Sequence, residues 1–262
     1  MVITREYIVV LPFTVNECLV AQKWHDIHKA TGEVLKSEPY VNRDTGEKGH
    51  YTKRLCCNDS RTPGFIRSLA PAGSLDMYEE RWESAAHSKS VLTNGYLKDK
   101  FNITIRTVQL PDTGTTGNPH KLPHDRLKNV EKVVINIANG ESCRACNSDM
   151  HPVHPSKFFS VKTGRGKLRP TWVVDTLNSN VDSKSDNTQY GKTPLMCCYV
   201  LVDVEVKVFG LQSKLEKNIQ SQTKQLLMEN YQQMFCSIDS WYGLSLSDID
   251  NIKNATNNVK QR

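Results

Sequence analysis

The sequence predicts an α+β protein in which a long, curved antiparallel sheet is crossed by one long helix. Three observations carry this expectation. Residues 199–209 alternate, with Val200, Val202, Val204, Val206 and Val208 on one face and Asp203, Glu205 and Lys207 on the other. A series of β-like runs punctuated by turns precedes them in the manner of a meander. After Gly210 the apolar period changes from two to about 3.6. Leu211, Leu215, Ile219, Leu226, Met234 and Ile238 then form one stripe, widened by Leu227, Tyr231 and Phe235.

Taken in order, residues 1–12 read MVITREYIVVLP, a short apolar run that stops at Pro12 and predicts a first strand. It lacks the long apolar core and small-residue cleavage site of a secretory signal. Thr14 followed three residues later by Glu17 forms a capping box, and Val15, Cys18, Leu19, Gln22 and Ile27 follow helical spacing, so a first helix runs from Val15 to about residue 29. The β-like runs cover residues 50–57, 74–82, 89–92, 102–109 and 132–137. The fourth alternates clearly, with Ile103, Ile105 and Thr107 against Asn102, Thr104 and Arg106. The strand at 199–209 spans roughly 30 Å or more at about 3.3 Å per residue, enough to cross a curved sheet. The helix after Gly210, about 30 residues on this pattern, is too long for a small core. A final helix starts near Leu246, where Ser245 and Asp248 form a second capping pair, and runs to about residue 259. No linker rich in Gly, Ser or Pro divides the chain, which predicts one domain over residues 1–262.

With 38% apolar and 24% charged residues the chain can bury a sizeable core, and no run nears the roughly 18 apolar residues of a spanning helix. The net charge of +6 favours anionic partners. The aromatics are dispersed and no RNA-binding signature accompanies the basic residues, so acidic lipid is expected and nucleic acid is not. Among the eight cysteines, Cys56 and Cys57 are adjacent, as are Cys197 and Cys198; such neighbours seldom bridge without strain, which suits the reducing cytoplasm.

The most distinctive segment is KFFSVKTGRGKLRPTW, residues 157–172. It concentrates lysine, arginine and two glycines between apolar shoulders at Phe158, Phe159 and Trp172, and reads as a basic, flexible surface element. A phosphate-cradling Walker loop is excluded, because Gly164 and Gly166 are one residue apart and Leu168 follows Lys167. A nucleic-acid contact, a membrane-facing patch and a plain solvated loop stay open on chemistry alone.

The string nevertheless closely resembles a signature of the phosphatidylinositol transfer proteins, carriers that exchange single phospholipids between membranes. The resemblance continues in EYIVVLPFTVNE (6–17), GEKGHYTKR (46–54), LAPAGSLDMYEERW (69–82), VLTNGY (91–96), PHKL (119–122) and FGLQSKLE (209–216), in family order. It implies the helix-grip, START-like fold, a curved antiparallel sheet with long helices enclosing a lipid cavity. Such a carrier needs that enclosure. A two-chain lipid exposes about 30 methylenes, and at roughly 0.8 kcal/mol each their hydration costs on the order of 25 kcal/mol. The resemblance also implies one bound phospholipid, of the inositol or choline class or another glycerophospholipid, as cargo in a cytoplasmic monomer that touches membranes transiently. No cofactor is required.

Carried over residue by residue, the family's phosphate contacts fall on Gln22, on Ser90 in place of threonine and on Thr107, while its phosphate-binding lysine falls at Val200. The inositol contacts fall on Thr52, on Arg54 for lysine, on Glu83 for asparagine and on Lys253 for glutamate. A paired Glu83 and Lys253 would preserve the mixture of donors and acceptors by exchanging sides; a different headgroup or a surface salt bridge are the other readings. The family's tail-pocket cysteine falls at Ser88. Its membrane-entering tryptophan pair falls at Val208 and Phe209, which predicts weaker or differently anchored docking, since neither has the interfacial preference of indole. Ser160 matches a serine associated with phosphorylation.

One cluster lies outside the family pattern. Cys143, Cys146, His151 and His154 follow C-x2-C-x4-H-x2-H, a spacing compatible with tetrahedral zinc, but they fall in a variable loop at about 139–156 where an exposed loop is the plainer expectation. No G-x-S-x-G elbow, H-E-x-x-H motif or carboxylate dyad is present, so no enzyme is expected. The alternatives to transfer are a zinc-organised adaptor and a module that presents a non-inositol lipid.

Overall fold

The computed structural model describes residues 3–29, 32–42, 46–56, 76–140, 153–181, 193–210 and 212–260. Among these, eight strands form one sheet: β1 (Ile3–Leu11), β2 (Glu33–Val41), β3 (Lys48–Cys56), β4 (Met77–Glu83), β5 (His87–Asn94), β6 (Phe101–Leu110), β7 (Glu131–Ile135) and β8 (Met196–Val206). The helices are α1 (Val15–Lys29), α2 (His124–Leu127), α3 (Trp172–Val181), α4 (Gln212–Cys236), α5 (Ile238–Trp241) and α6 (Leu246–Lys260). The strand order is β2-β3-β4-β5-β6-β8-β1-β7. Strands β2 to β6 form the expected meander, and the sheet is antiparallel except for its last pair, β1 with β7.

β8 lies between β6 and β1 and is buried on both faces over most of its length, which explains its near-continuous apolar sequence. α4 covers one face. Gln220 of α4 accepts a hydrogen bond from the Tyr7 hydroxyl and donates to the carbonyls of Ile3 and Val202, while Glu216 accepts from the Val206 amide. Buried polar side chains thus fix the helix to two strands, each needing its partner to offset desolvation. On the opposite face Tyr199 donates to Asp112 and Asp203 gathers Thr4, Arg106 and Arg126.

Both expected capping pairs form. The Thr14 amide donates to Glu17 and the Glu17 amide to the Thr14 hydroxyl, and Ser245 and Asp248 make the same exchange at α6. The long strand starts earlier than the alternation suggested and ends at Val206, and α4 has 25 residues. Its burial is not one continuous stripe. Leu215 and Ile219 are buried at one end and Tyr231, Met234 and Phe235 at the other, while Leu226 is half exposed.

Phe13, Phe158, Phe235 and Trp241 form an aromatic cluster, with edge-on contacts of 5.3 Å for Phe13–Trp241 and 5.5 Å for Phe158–Phe235. It joins the start of α1, the end of α4, α5 and the basic segment. No helix among the described residues is long and apolar enough to cross a membrane.

Candidate functional site

Strand pairing aligns three rows on the face covered by α4 and α1. The first runs His50, Glu83, Ser88, Thr107, Val200 and Tyr7; the second Thr52, Arg81, Ser90, Ile105 and Val202; the third Arg54, Glu79, Leu92, Ile103 and Val204. Because residues opposite one another share a face, Thr52, Arg54, Glu83, Ser90 and Thr107 all project to one side. Each row is polar on β3 and β4 and apolar on β8. The sheet therefore presents one surface graded from charge to hydrocarbon, with Val200 buried where the resemblance placed a lysine.

α1 closes the polar end. Gln109 donates to the Gln22 side-chain oxygen at 2.8 Å, and Lys23 reaches Glu83 at 2.5 Å. Between helix and sheet lies a cavity of about 30 Å³, bordered by Leu19, Gln22, Lys23, Glu83, Ser88 and Gln109. That is room for roughly one water molecule.

Glu83 is engaged on both oxygens, by Lys23 on one and by Arg81 at 2.5 Å on the other, and Arg81 continues to Asp26 at 3.3 Å. Glu83 thus belongs to a chain of ion pairs from α1 to β4, and among the described residues no ion pair joins it to Lys253. Burial pushes the Glu83 carboxyl upward, but Arg81, Lys23 and Arg54 outweigh it and hold the group below the usual carboxylate range. Lys253 comes to the same end on α6. Burial first, and then its ammonium and that of Lys23, lower the His50 imidazole against Glu83 and Asp250. The Arg54 Nε is buried and meets no hydrogen-bond acceptor among the described residues.

Lys23, Asp26 and Arg81 escaped the sequence reading. A signal was present in MYEERWE, where Glu79, Arg81 and Glu83 alternate with Tyr78, Glu80 and Trp82 and so place three charges on one face of a strand.

At the other end of β8, Val208 packs against the core while Phe209 is fully exposed, followed by Gly210 at φ +75°. Only Phe209 of the expected docking pair is free to insert. The Lys207 amide donates to the Lys100 carbonyl at 2.7 Å, which holds the exposed Lys98–Lys100 turn to the end of β8, and the Lys207 ammonium pairs with Glu205 at 3.2 Å.

The basic segment is less of a free surface than its sequence suggested. Arg165 forms a two-pronged pair with Glu17 at 3.0 Å, donates to the Pro12 carbonyl at 3.1 Å and lies over the Tyr242 ring. Leu168 and Trp172 are buried, and a Cβ at Gly166 would stand 2.3 Å from the Phe158 carbonyl oxygen. Lys157, Lys162, Lys167 and Arg169 stay exposed. Ser160 is buried and donates to Asp239, which also accepts the amides of Val161 and Lys162. Burial pushes the Asp239 carboxyl upward, yet these donors hold it below its ordinary value. Of the cysteine and histidine cluster, Cys143, Cys146 and His151 lie outside the described residues; His154 bonds to Ser156 through Nδ1.

The family model for Phosphatidylinositol transfer protein matches residues 2–258. The chain belongs to the phosphatidylinositol transfer protein family. It is 38% identical over 264 residues to the Phosphatidylinositol transfer protein beta isoform of Mus musculus, with 98% of this chain and 92% of the relative covered. It is 32% identical over 254 residues to Phosphatidylinositol transfer protein 1 of Dictyostelium discoideum, with 94% and 89% covered. Membership in the phosphatidylinositol transfer protein family accounts for the graded sheet face under long helices.

Proposed function

We propose that the chain carries one phospholipid between membranes, holding the acyl chains against the apolar part of the sheet and the headgroup at its charged end. The single observation that carries this reading is the graded face, on which Arg54, Thr52, Arg81 and Ser90 give way to Ile103, Ile105, Val202 and Val204 beneath the helices. An ordinary core has no use for a charged end. Gln22, Ser90 and Thr107 offer neutral contacts to the lipid phosphate, with apolar Val200 beside them, and Thr52 and Arg54, further out on β3, face the rest of the headgroup. The phosphodiester so held is common to the inositol and choline lipids.

A cavity of about 30 Å³ cannot hold a headgroup, so loading requires the helices to part from the sheet. The membrane is where that opening costs least, since exposed hydrocarbon meets hydrocarbon. Phe209 alone supplies about 1.5–3 kcal/mol on full burial, short of the roughly 4 kcal/mol of even millimolar affinity. Exposed Lys98 and Lys100 add about 1 kcal/mol each at an anionic surface, and Lys207, paired with Glu205 at 3.2 Å, adds less. Docking on this reading is electrostatic, with Phe209 as an apolar point.

Extraction of the purified protein into organic solvent, followed by mass spectrometry, tests the proposal: one phospholipid per chain is expected. Bound zinc without lipid would favour the adaptor reading.

A further inference from the structure

Cys18 of α1 and Cys198 of β8 face one another with their sulfurs 3.9 Å apart, both fully buried and separated by 180 positions in the chain. They meet on the side of the sheet that α1 and α4 cover. Cys198 shares the alternation of Val200, Val202 and Val204, whereas its neighbour Cys197 points to the opposite face. Tyr231 of α4 adjoins both thiols from the covered side. We propose that Cys18 and Cys198 are a reversible cross-linking site: oxidation joins them in a disulfide that pins α1 to the sheet and holds the carrier shut. The inference rests on the carrier reading above, through the parting of the helices that loading requires.

α1 otherwise holds to its surroundings through contacts that break and re-form, Gln22 with Gln109, Lys23 with Glu83 and Glu17 with Arg165. A covalent bond at Cys18 differs in kind, because a membrane surface cannot release it. The sulfurs must close from 3.9 Å to about 2.05 Å, a step of about 2 Å on a helix that moves at least as far to admit a headgroup. The contact with Cys198, and then burial, push the Cys18 thiol up, so the closed molecule holds little thiolate and oxidation waits on opening. Once α1 lifts, a hydroperoxide is the oxidant. The Cys18 sulfur attacks its O–O bond and becomes a sulfenic acid, while the departing oxygen leaves as an alcohol, or as water from hydrogen peroxide. On closure the Cys198 sulfur attacks the sulfenic sulfur, the S–S bond forms, and the hydroxyl leaves as water with the Cys198 proton. Both thiols are thereby oxidised and the hydroperoxide reduced. Exchange with a soluble thiol reverses the bond.

The test uses the full chain, reduced, freed of reductant and treated with hydrogen peroxide in the presence of phosphatidylcholine and phosphatidylinositol vesicles, then alkylated and digested. Mass spectrometry should find the Cys18 peptide joined to the peptide of β8, with fragmentation placing the bond on Cys198 and not on Cys197. Transfer of labelled phospholipid between vesicles should fall at least about tenfold in the cross-linked chain and return on reduction with dithiothreitol. Cys18→Ala and, separately, Cys198→Ala should keep the transfer rate of the reduced wild type after the same peroxide treatment. Cys18 and Cys198 left unlinked by peroxide, or a cross-linked chain that transfers as fast as the reduced one, overturns the proposal. Both outcomes are read on the wild type, so a variant that misfolds does not shield it. A reduced chain that transfers no phospholipid counts instead against the carrier reading, and the joined peptide is scored all the same, which separates the two failures.

Discussion

Arg165 and Glu17 join the basic segment to the first turn of α1 through two parallel contacts of 3.0 Å. Glu17 serves the capping box at the same time, so one carboxylate closes the helix start and fixes a segment 148 positions away. Both side chains are sheltered, at 11% and 18% exposure. Arg165→Ala should therefore lower stability by roughly 3 kcal/mol, because Glu17 loses its partner and the Pro12 carbonyl its donor. Urea unfolding measures the change. The neighbouring cation Arg169 offers no substitute, being exposed and paired with Asp175. A loss below about 1 kcal/mol would return the segment to the status of a surface loop.

Ser160 sits in the same clasp. Ser160→Ala removes the hydrogen bond to Asp239 and the two that its hydroxyl accepts from the Thr163 amide and hydroxyl, and should cost about 1–3 kcal/mol. Ser160→Glu sets a second carboxylate against Asp239 in a buried position and should cost more, with thermal unfolding reporting the order. Phosphate at this hydroxyl has the same consequence, releasing the segment from α5. Equal stability of Ser160→Glu and wild type would show that the clasp does not sense charge.

Phe209 and its lysines give a prediction about membranes. Phe209→Asp should reduce vesicle transfer about tenfold or more. Wild-type docking on anionic vesicles should also weaken as salt rises from about 0.05 M to about 0.5 M. Transfer that ignores both changes places the docking surface elsewhere.

His120 gives a prediction about pH. Burial, then Arg106 and His87, push its imidazole down to about 4 while Asp203 opposes. The unfolded chain titrates near 6.5. Between these values the unfolded state binds a proton that the folded state refuses, so stability falls as pH drops from about 6.5 towards 4, by at most about 3 kcal/mol. Glu6, 3.7 Å away, is raised by burial, with Lys132 opposing, and contributes with the opposite sign. Denaturation of wild type and His120→Gln across this window isolates the slope. Identical slopes would assign it to other groups.

Much of the fold was legible because its largest elements announce themselves by period. The valine alternation and the change after Gly210 located β8 and α4, and Thr14 with Glu17 located α1. β2 was missed because it is an exposed edge strand with almost no alternation, and the parallel pairing of β1 with β7 involves strands far apart in sequence. Arg165 read as a surface cation because nothing local points to Glu17. At the candidate site, the family pattern brought Gln22, Thr52, Arg54, Glu83, Ser90, Thr107 and Lys253 together, and pairing places the five strand residues on one face. Of the ion partners of Glu83, Arg81 lies two residues away on the same strand face and was legible but unread, whereas Lys23 reaches Glu83 only once α1 lies over β4.

Extraction and mass spectrometry of the lipid bound to the purified protein bears most directly on the carrier function. One phospholipid per chain, exchangeable with labelled vesicles, is the predicted result. A chain purified from a lipid-containing source that holds no phospholipid, and acquires none from vesicles, would contradict it.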